Sequence, residues 1–151
     1  MDTIYFGSDY NGAGQAAELK KRLATFGRVL DVVEEDPTLD SYIKIALRVA
    51  KRVASEERSI GIIVCGTGTG SCILANKVKG AYAVNCLVPQ TAVYAKIINN
   101  ANIMCLAGWG DPERNLEIVD TFFAAHYGNR KPERMAQIKQ EEESLFPKDA
   151  V

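Results

Sequence analysis

The stretch Cys65-Gly66-Thr67-Gly68-Thr69-Gly70-Ser71 joins a thiol to a run of small residues. A deprotonated thiol is a base or a nucleophile. Glycines at 66, 68 and 70 permit positive φ and close backbone approach. Successive amides in such a turn can converge on an anion, next to the positive end of a following helix. The chemistry implied is a base or nucleophile beside an anion cradle. The same residues also suit a tight strand-to-helix turn that begins on a buried cysteine, and both readings stand at this level. Two nucleotide motifs are excluded: Lys77 comes too late for a P-loop, and a dinucleotide fingerprint would follow the first strand, not the third.

Other polar residues have a double reading too. Asp9, in Gly-Ser-Asp-Tyr-Asn-Gly, follows the first apolar run by two residues and serves either a ligand or the turn itself. Asn99, Asn100 and Asn102 precede a late apolar run, where each amide can also close a helix or turn. Arg130 and Arg134, four apart in a predicted tail helix, share a face and could grip a dianion or remain a solvated pair. The four cysteines lack Cys-x-x-Cys spacing and His126 is the only histidine, so no metal site is expected. Apart from Cys65, the thiols at 72, 86 and 105 read as small, reduced core residues.

Strand and helix signals alternate around these residues. Thr3–Gly7 is a short strand, and Ala16, Leu19, Leu23 and Phe26 have helical spacing up to Gly27. Arg28–Val33 predicts a second strand, and Ile45, Val49 and Val53 mark a helix from Ser41 to about Glu57. Ser59–Cys65 is the most apolar strand and belongs in the middle of a sheet. Then come a helix to Lys77, a strand at Ala81–Val84, a helix from Pro89 to Ile98 and a strand at Asn102–Ala107. A helix from Asp111 to His126 and a tail helix over about 131–145 complete the chain. Such alternation predicts an α/β fold, a Rossmann-like three-layer α/β/α sandwich with a five-stranded parallel sheet. Ligands of such sheets bind beyond the carboxyl ends of the strands, here just after Gly7, Val33, Cys65, Val84 and Leu106.

At 151 residues the chain is expected to form one domain, residues 1–151, with a core large enough to need no staple. A net charge of −1 gives no general attraction to nucleic acid or to anionic membranes. No apolar stretch approaches the ~20 residues of a membrane span, and no signal peptide is evident, so a cytoplasmic location is expected.

Four segments in order, Phe6–Gly12, Val64–Ala83, Tyr94–Gly108 and Gly128–Arg134, resemble the ribose-5-phosphate isomerase type B and galactose-6-phosphate isomerase family. The likeness runs from Thr3 to about Ile138, with the middle segment the most specific. It implies aldose–ketose isomerisation through a cis-enediolate, without metal or organic cofactor, in sites completed by a second subunit. By resemblance Cys65 is the base, the amides from Gly66 to Gly70 stabilise the enediolate oxygen, and Thr67 and Ser71 belong to the same site. Asp9 would hold sugar hydroxyls, Asn99 would assist the oxyanion, and Asn100 and Tyr42 would contact substrate. Arg130 and Arg134 match the phosphate-gripping pair, on a tail that reaches the neighbouring protomer. The implied partners are a sugar phosphate and a second copy, as homodimer or tetramer, or a related isomerase chain.

The chain departs from the family pattern around Tyr42, where Asp-Tyr-Pro has become Ser41-Tyr42-Ile43, and at three further positions. Tyr10 and Ile98 stand where histidines are usual, and Trp109 stands where an arginine is usual, in a segment one residue shorter. Tyr10 and Trp109 remain substrate-binding candidates; Arg114 could restore some charge, and His126 replaces neither histidine. Ile98 cannot move a proton, so the group that resemblance assigns to ring opening is gone, along with one cation of the phosphate grip. Three readings follow: an active isomerase of altered substrate choice, a reduced subunit of a two-chain galactose-6-phosphate isomerase, or a sugar-phosphate-binding protein without catalysis.

Overall fold

The computed structural model describes residues 2–147. Five strands form one parallel sheet in the order β2-β1-β3-β5-β4: β1 (Asp2–Ser8), β2 (Gly27–Asp31), β3 (Ser59–Cys65), β4 (Ala83–Asn85) and β5 (Ile103–Ala107). The α/β sandwich is as expected, and every residue of the central β3 is buried. Helices cover both faces because side chains alternate along each strand. Ile4, Phe6, Ile60, Ile62, Val64, Met104 and Leu106 pack with residues of α1 (Ala13–Leu23), α5 (Pro89–Asn99) and α6 (Pro112–Ala124). Tyr5, Ile63, Ile103 and Cys105 pack with those of α3 (Tyr42–Ser55) and α4 (Thr69–Ala75) on the other face. Among the described residues no helix is long and apolar enough to cross a membrane.

The strand expected at Arg28–Val33 stops at Asp31. There the aspartate carboxylate accepts from the amides of Val33 (2.9 Å) and Glu34 (3.3 Å), capping a short helix α2 (Val32–Glu35). Local capping overrides the β-branched run, because an Asp followed by two glutamates suits a helix N-terminus. The sheet-edge loop therefore follows Asp31, not Val33.

The tail forms α7 (Pro132–Leu145), which buries no residue fully. Polar contacts tie it to its own chain: Glu142 accepts from the Gly80 amide at 2.7 Å and the Tyr82 hydroxyl at 2.9 Å, and Lys79 pairs with Glu143 at 2.6 Å. Burial, then the Glu142 contact, pushes the Tyr82 phenol up from 10.0 to about 12. A raised value means that the folded chain holds a proton which the unfolded chain has lost. The tie is thus complete below about pH 10 and fails as pH rises through about 12. Phenolate absorbance should show late titration from Tyr82 and from Tyr5, which its hydrogen bond to Glu56 and burial also raise, and Tyr82→Phe should remove one of these late components. A tail that melts at the same pH in parent and variant would refute this.

Candidate active site

The sheet changes direction between β1 and β3: the chain runs from β1 outward to β2, then returns to place β3 on the other side of β1. Crevices open at such switch points, beyond the carboxyl ends of the strands. Here those ends carry Asp9 and Cys65. A cleft of about 230 Å³ lies there, lined by Asp9, Asn11, Tyr42, Cys65, Gly66, Thr67, Gly70 and Trp109. Cys65 is 5% exposed and forms part of this lining, so the thiol borders the cavity while largely shielded from bulk water.

The turn after Cys65 is shaped by Gly68, whose φ of 80° lies in the left-handed region and makes it the N-cap of α4. Among the described residues, the amides of Gly66, Thr67, Gly68, Gly70 and Ser71 find no acceptor within the chain. Thr69 alone is occupied, donating to Thr67 Oγ1 at 3.3 Å. Unpaired amides at a helix N-terminus are a ready anion site. Asn85 braces the turn from outside by donating from Nδ2 to Thr69 Oγ1 at 3.0 Å.

Asp9 closes its own turn, as one of its two sequence readings expects, and lines the cleft. Its carboxylate accepts from the amides of Asn11 (2.9 Å) and Gly12 (3.3 Å) and from Asn11 Nδ2 (3.3 Å). Tyr42, the first residue of α3, faces Gly70, where an added Cβ would stand 2.8 Å from the ring. Ser71 is wholly buried with its hydroxyl unpartnered, and Gly68 is buried against Asn85 and Leu106; both sit behind the lining. Tyr10 is 85% exposed and stands outside the cleft.

Four candidates lie elsewhere. α5 runs back across the sheet, so Asn99 and Asn100 end it at the amino edge, before β5 begins. Pairing of Gly61–Cys65 with Ile103–Ala107 puts the two edges ~13 Å apart along the strands. Asn100 borders a separate concavity of about 710 Å³ at that amino edge. Arg130 precedes α7, so it shares no helical face with Arg134, which instead borders a groove between α7 and Tyr82. The proline at 132 starts the helix too late to include Arg130. Within one chain, none of these four lines the cleft.

Some residues that shape the site carry weak sequence signals. Gln15 and Asn115 are buried amides; Gln15 Nε2 donates to the carbonyls of Gly108 (2.9 Å) and Gly110 (3.1 Å), and Asn115 Nδ2 to that of Ala107 (2.9 Å). They hold the loop that carries Trp109, and only a polar residue on an apolar helix face could have betrayed them. Asn11 is the other addition.

Cys86 and Cys105 are buried as expected, whereas Cys72 on α4 is half-buried. A hydrogen bond with Cys105, aided by the Asn85 backbone and Asn76, outweighs burial and lowers Cys72 to about 7. Burial pushes Cys86 up to about 12, and the contact with Cys72 followed by burial raises Cys105. At neutral pH a small alkylating reagent should therefore label Cys72 well before Cys86 and Cys105, more slowly as pH falls below about 7. Peptide mass mapping that found Cys86 or Cys105 labelled first would contradict this ordering.

Residues 4–138 match the family model described as Ribose/Galactose Isomerase. The chain belongs to that family. It is 36% identical over 141 residues to a probable ribose-5-phosphate isomerase B of Mycoplasma pneumoniae, covering 89% of this chain and 91% of the relative. It is also 36% identical over 108 residues to a 4-deoxy-4-sulfo-D-erythrose isomerase of Clostridium sp., covering 70% of this chain and 68% of the relative. The crystal structure of ribose-5-phosphate isomerase B from Mycoplasma genitalium with bound ribulose-5-phosphate superposes with a TM-score of 0.84 at 32% identity, over 93% of this chain and 96% of that one. Membership makes this chain a sugar-phosphate isomerase of the ribose/galactose isomerase family.

Proposed function

We propose that the chain interconverts an aldose phosphate and its ketose with Cys65 as the base, and that each site is shared by two chains. The observation that carries the reading is the cleft itself. It sets one thiol beside a turn of unpaired amides, with the carboxylate-bearing Asp9 at the neighbouring strand end. The Cys65 sulfur, as thiolate, takes the hydrogen on C2 as a proton. The electron pair left behind forms the C1–C2 double bond, and charge moves onto O1, where the amides between Gly66 and Ser71 receive it. A proton passes from O2 to O1 as the C2 carbonyl forms, and the thiol returns its own proton to C1. Asp9 holds substrate hydroxyls across the cleft, and Tyr42 borders them.

Asn99, Asn100, Arg130 and Arg134 reach such a cleft only if a second copy brings its amino edge against the first copy's carboxyl edge. Complementation tests this arrangement. Cys65→Ala and Arg134→Ala chains, each impaired alone, should on mixing regain about a quarter of parental activity, because mixed dimers rebuild one intact site. No recovery after verified subunit exchange would place each site within one chain.

With no proton-moving group at Ile98, the reading favours substrates that need little help in ring opening, such as an acyclic tetrose phosphate or a readily opening ketose. The decisive measurement is a screen of four-, five- and six-carbon sugar phosphates in deuterium oxide. Expected is interconversion with deuterium entering a carbon position. Saturable binding without exchange would leave a binding protein, and activity only after adding a related chain would make this a subunit.

A further inference from the structure

Trp109 is the only tryptophan in the chain and is 71% exposed, yet its ring is held on two sides. The indole Nε1 donates to Asn11 Oδ1 at 3.2 Å. The ring covers Gly66, where an added Cβ would lie 2.9, 3.0 and 3.1 Å from three ring carbons; near-equal spacing means a face, not an edge, meets the glycine. The Trp109 amide also donates to the Gly66 carbonyl at 3.0 Å. The remaining polar groups of Asn11 turn the other way: its amide and Nδ2 both donate to Asp9. One side chain thus joins two members of the cleft lining, the Asp9 carboxylate and the Trp109 indole. With the ring so placed, the cleft holds about 230 Å³, below the ~300–1,000 Å³ usual for ligand pockets.

We infer that Asn11 is a positioning residue: it locks Trp109 over Gly66 and Asp9 into the cleft, so that the indole forms a fixed apolar wall that favours a short, open-chain sugar phosphate over a longer one. This rests on the isomerase reading above. A C–H face of the substrate lies against the ring while its hydroxyls turn to Asp9. A longer sugar must displace the indole, which costs the bond to Asn11 and the packing on Gly66.

Because Trp109 is the sole tryptophan, its fluorescence reports on this wall alone. In the ligand-free full chain, time-resolved anisotropy of Asn11→Ala should gain a fast component absent from the parent. The preference for erythrose 4-phosphate over ribose 5-phosphate, read as the ratio of kcat/KM values, should fall about five-fold, the effect of one neutral hydrogen bond. Trp109→Ala should lower the ratio similarly, and the double variant no further. Asn11→Asp keeps an acceptor for the indole but sets a second carboxylate against Asp9. It should retain parental anisotropy and the parental ratio while losing kcat/KM for both sugars, and a melting curve showing the variant fully folded at the assay temperature separates that loss from unfolding. Parental anisotropy in Asn11→Ala, or a freed indole with an unchanged ratio, overturns the inference. A parent that turns over neither sugar but does turn over a six-carbon sugar phosphate overturns the selectivity alone; one that turns over no sugar phosphate defeats the isomerase reading as well, while anisotropy still decides whether the lock exists.

Discussion

Cys65→Ala is expected to lower kcat by about 10²–10⁴-fold, the contribution of a positioned general base, while the protein still folds and still binds sugar phosphate. The thiol borders the cleft at the end of β3, and the described lining contains no histidine and no second thiol. The one carboxylate in that lining, Asp9, is tied to the Asn11 and Gly12 amides. Removing the sulfur leaves the amide turn in place, so binding of a phosphorylated sugar should change far less than turnover. Thermal melting establishes that the variant folds, and Cys65→Ser keeps the volume should alanine prove too small. If either folded variant turns over substrate within ten-fold of the parent, the thiol is not the base.

The second large effect belongs to Gly68. At φ 80° an L side chain costs ~1–2 kcal/mol. A Cβ at this position would stand 2.4 Å from Asn85 Oδ1 and 3.2 Å from the Leu106 carbonyl. Asn85 must then move, and its bond to Thr69 moves with it. Gly68→Ala is therefore expected to lose ~2–4 kcal/mol, seen as a melting point lower by ~5–15 °C, and to lose kcat/KM because the amides of the turn are displaced. Gly14→Ala is the contrast: nothing lies within 4 Å of its Cβ, and it sits inside α1. It should be neutral or stabilising by ~0.5–1 kcal/mol. Equal melting points for the two variants would mean that the left-handed turn carries no strain cost.

Much of the site was legible because its signals are local. A thiol closing an apolar strand, followed by alternating glycines, can be read without neighbours, since backbone permissiveness belongs to residue type. The same holds for Asp9, whose turn chemistry lies within three residues. Legibility ended where location depends on distant elements. Asn99, Asn100, Arg130 and Arg134 have a chemistry that sequence displays and a location that it does not, because the edge a residue occupies depends on the direction of the preceding helix. Arg130 and Arg134 were paired by helical spacing, which fails once Pro132 sets the helix start. The second strand is shorter than its β-branched residues suggest because Asp31 caps a helix there.

Sequence by itself determined the alternating α/β pattern, the family, the thiol that closes the central strand and the glycine turn beside it. These follow from periodicity and residue chemistry over short stretches. Only the tertiary structure decided that β1 and β3 are neighbours across a switch point, which brings Asp9 to Cys65. It alone showed that Asn11 bridges Asp9 to Trp109, which lies 98 residues beyond Asn11, and that the asparagine and arginine candidates lie on the far edge. Strand order and long-range pairing are set by the summed burial of whole faces, a property that no single segment carries.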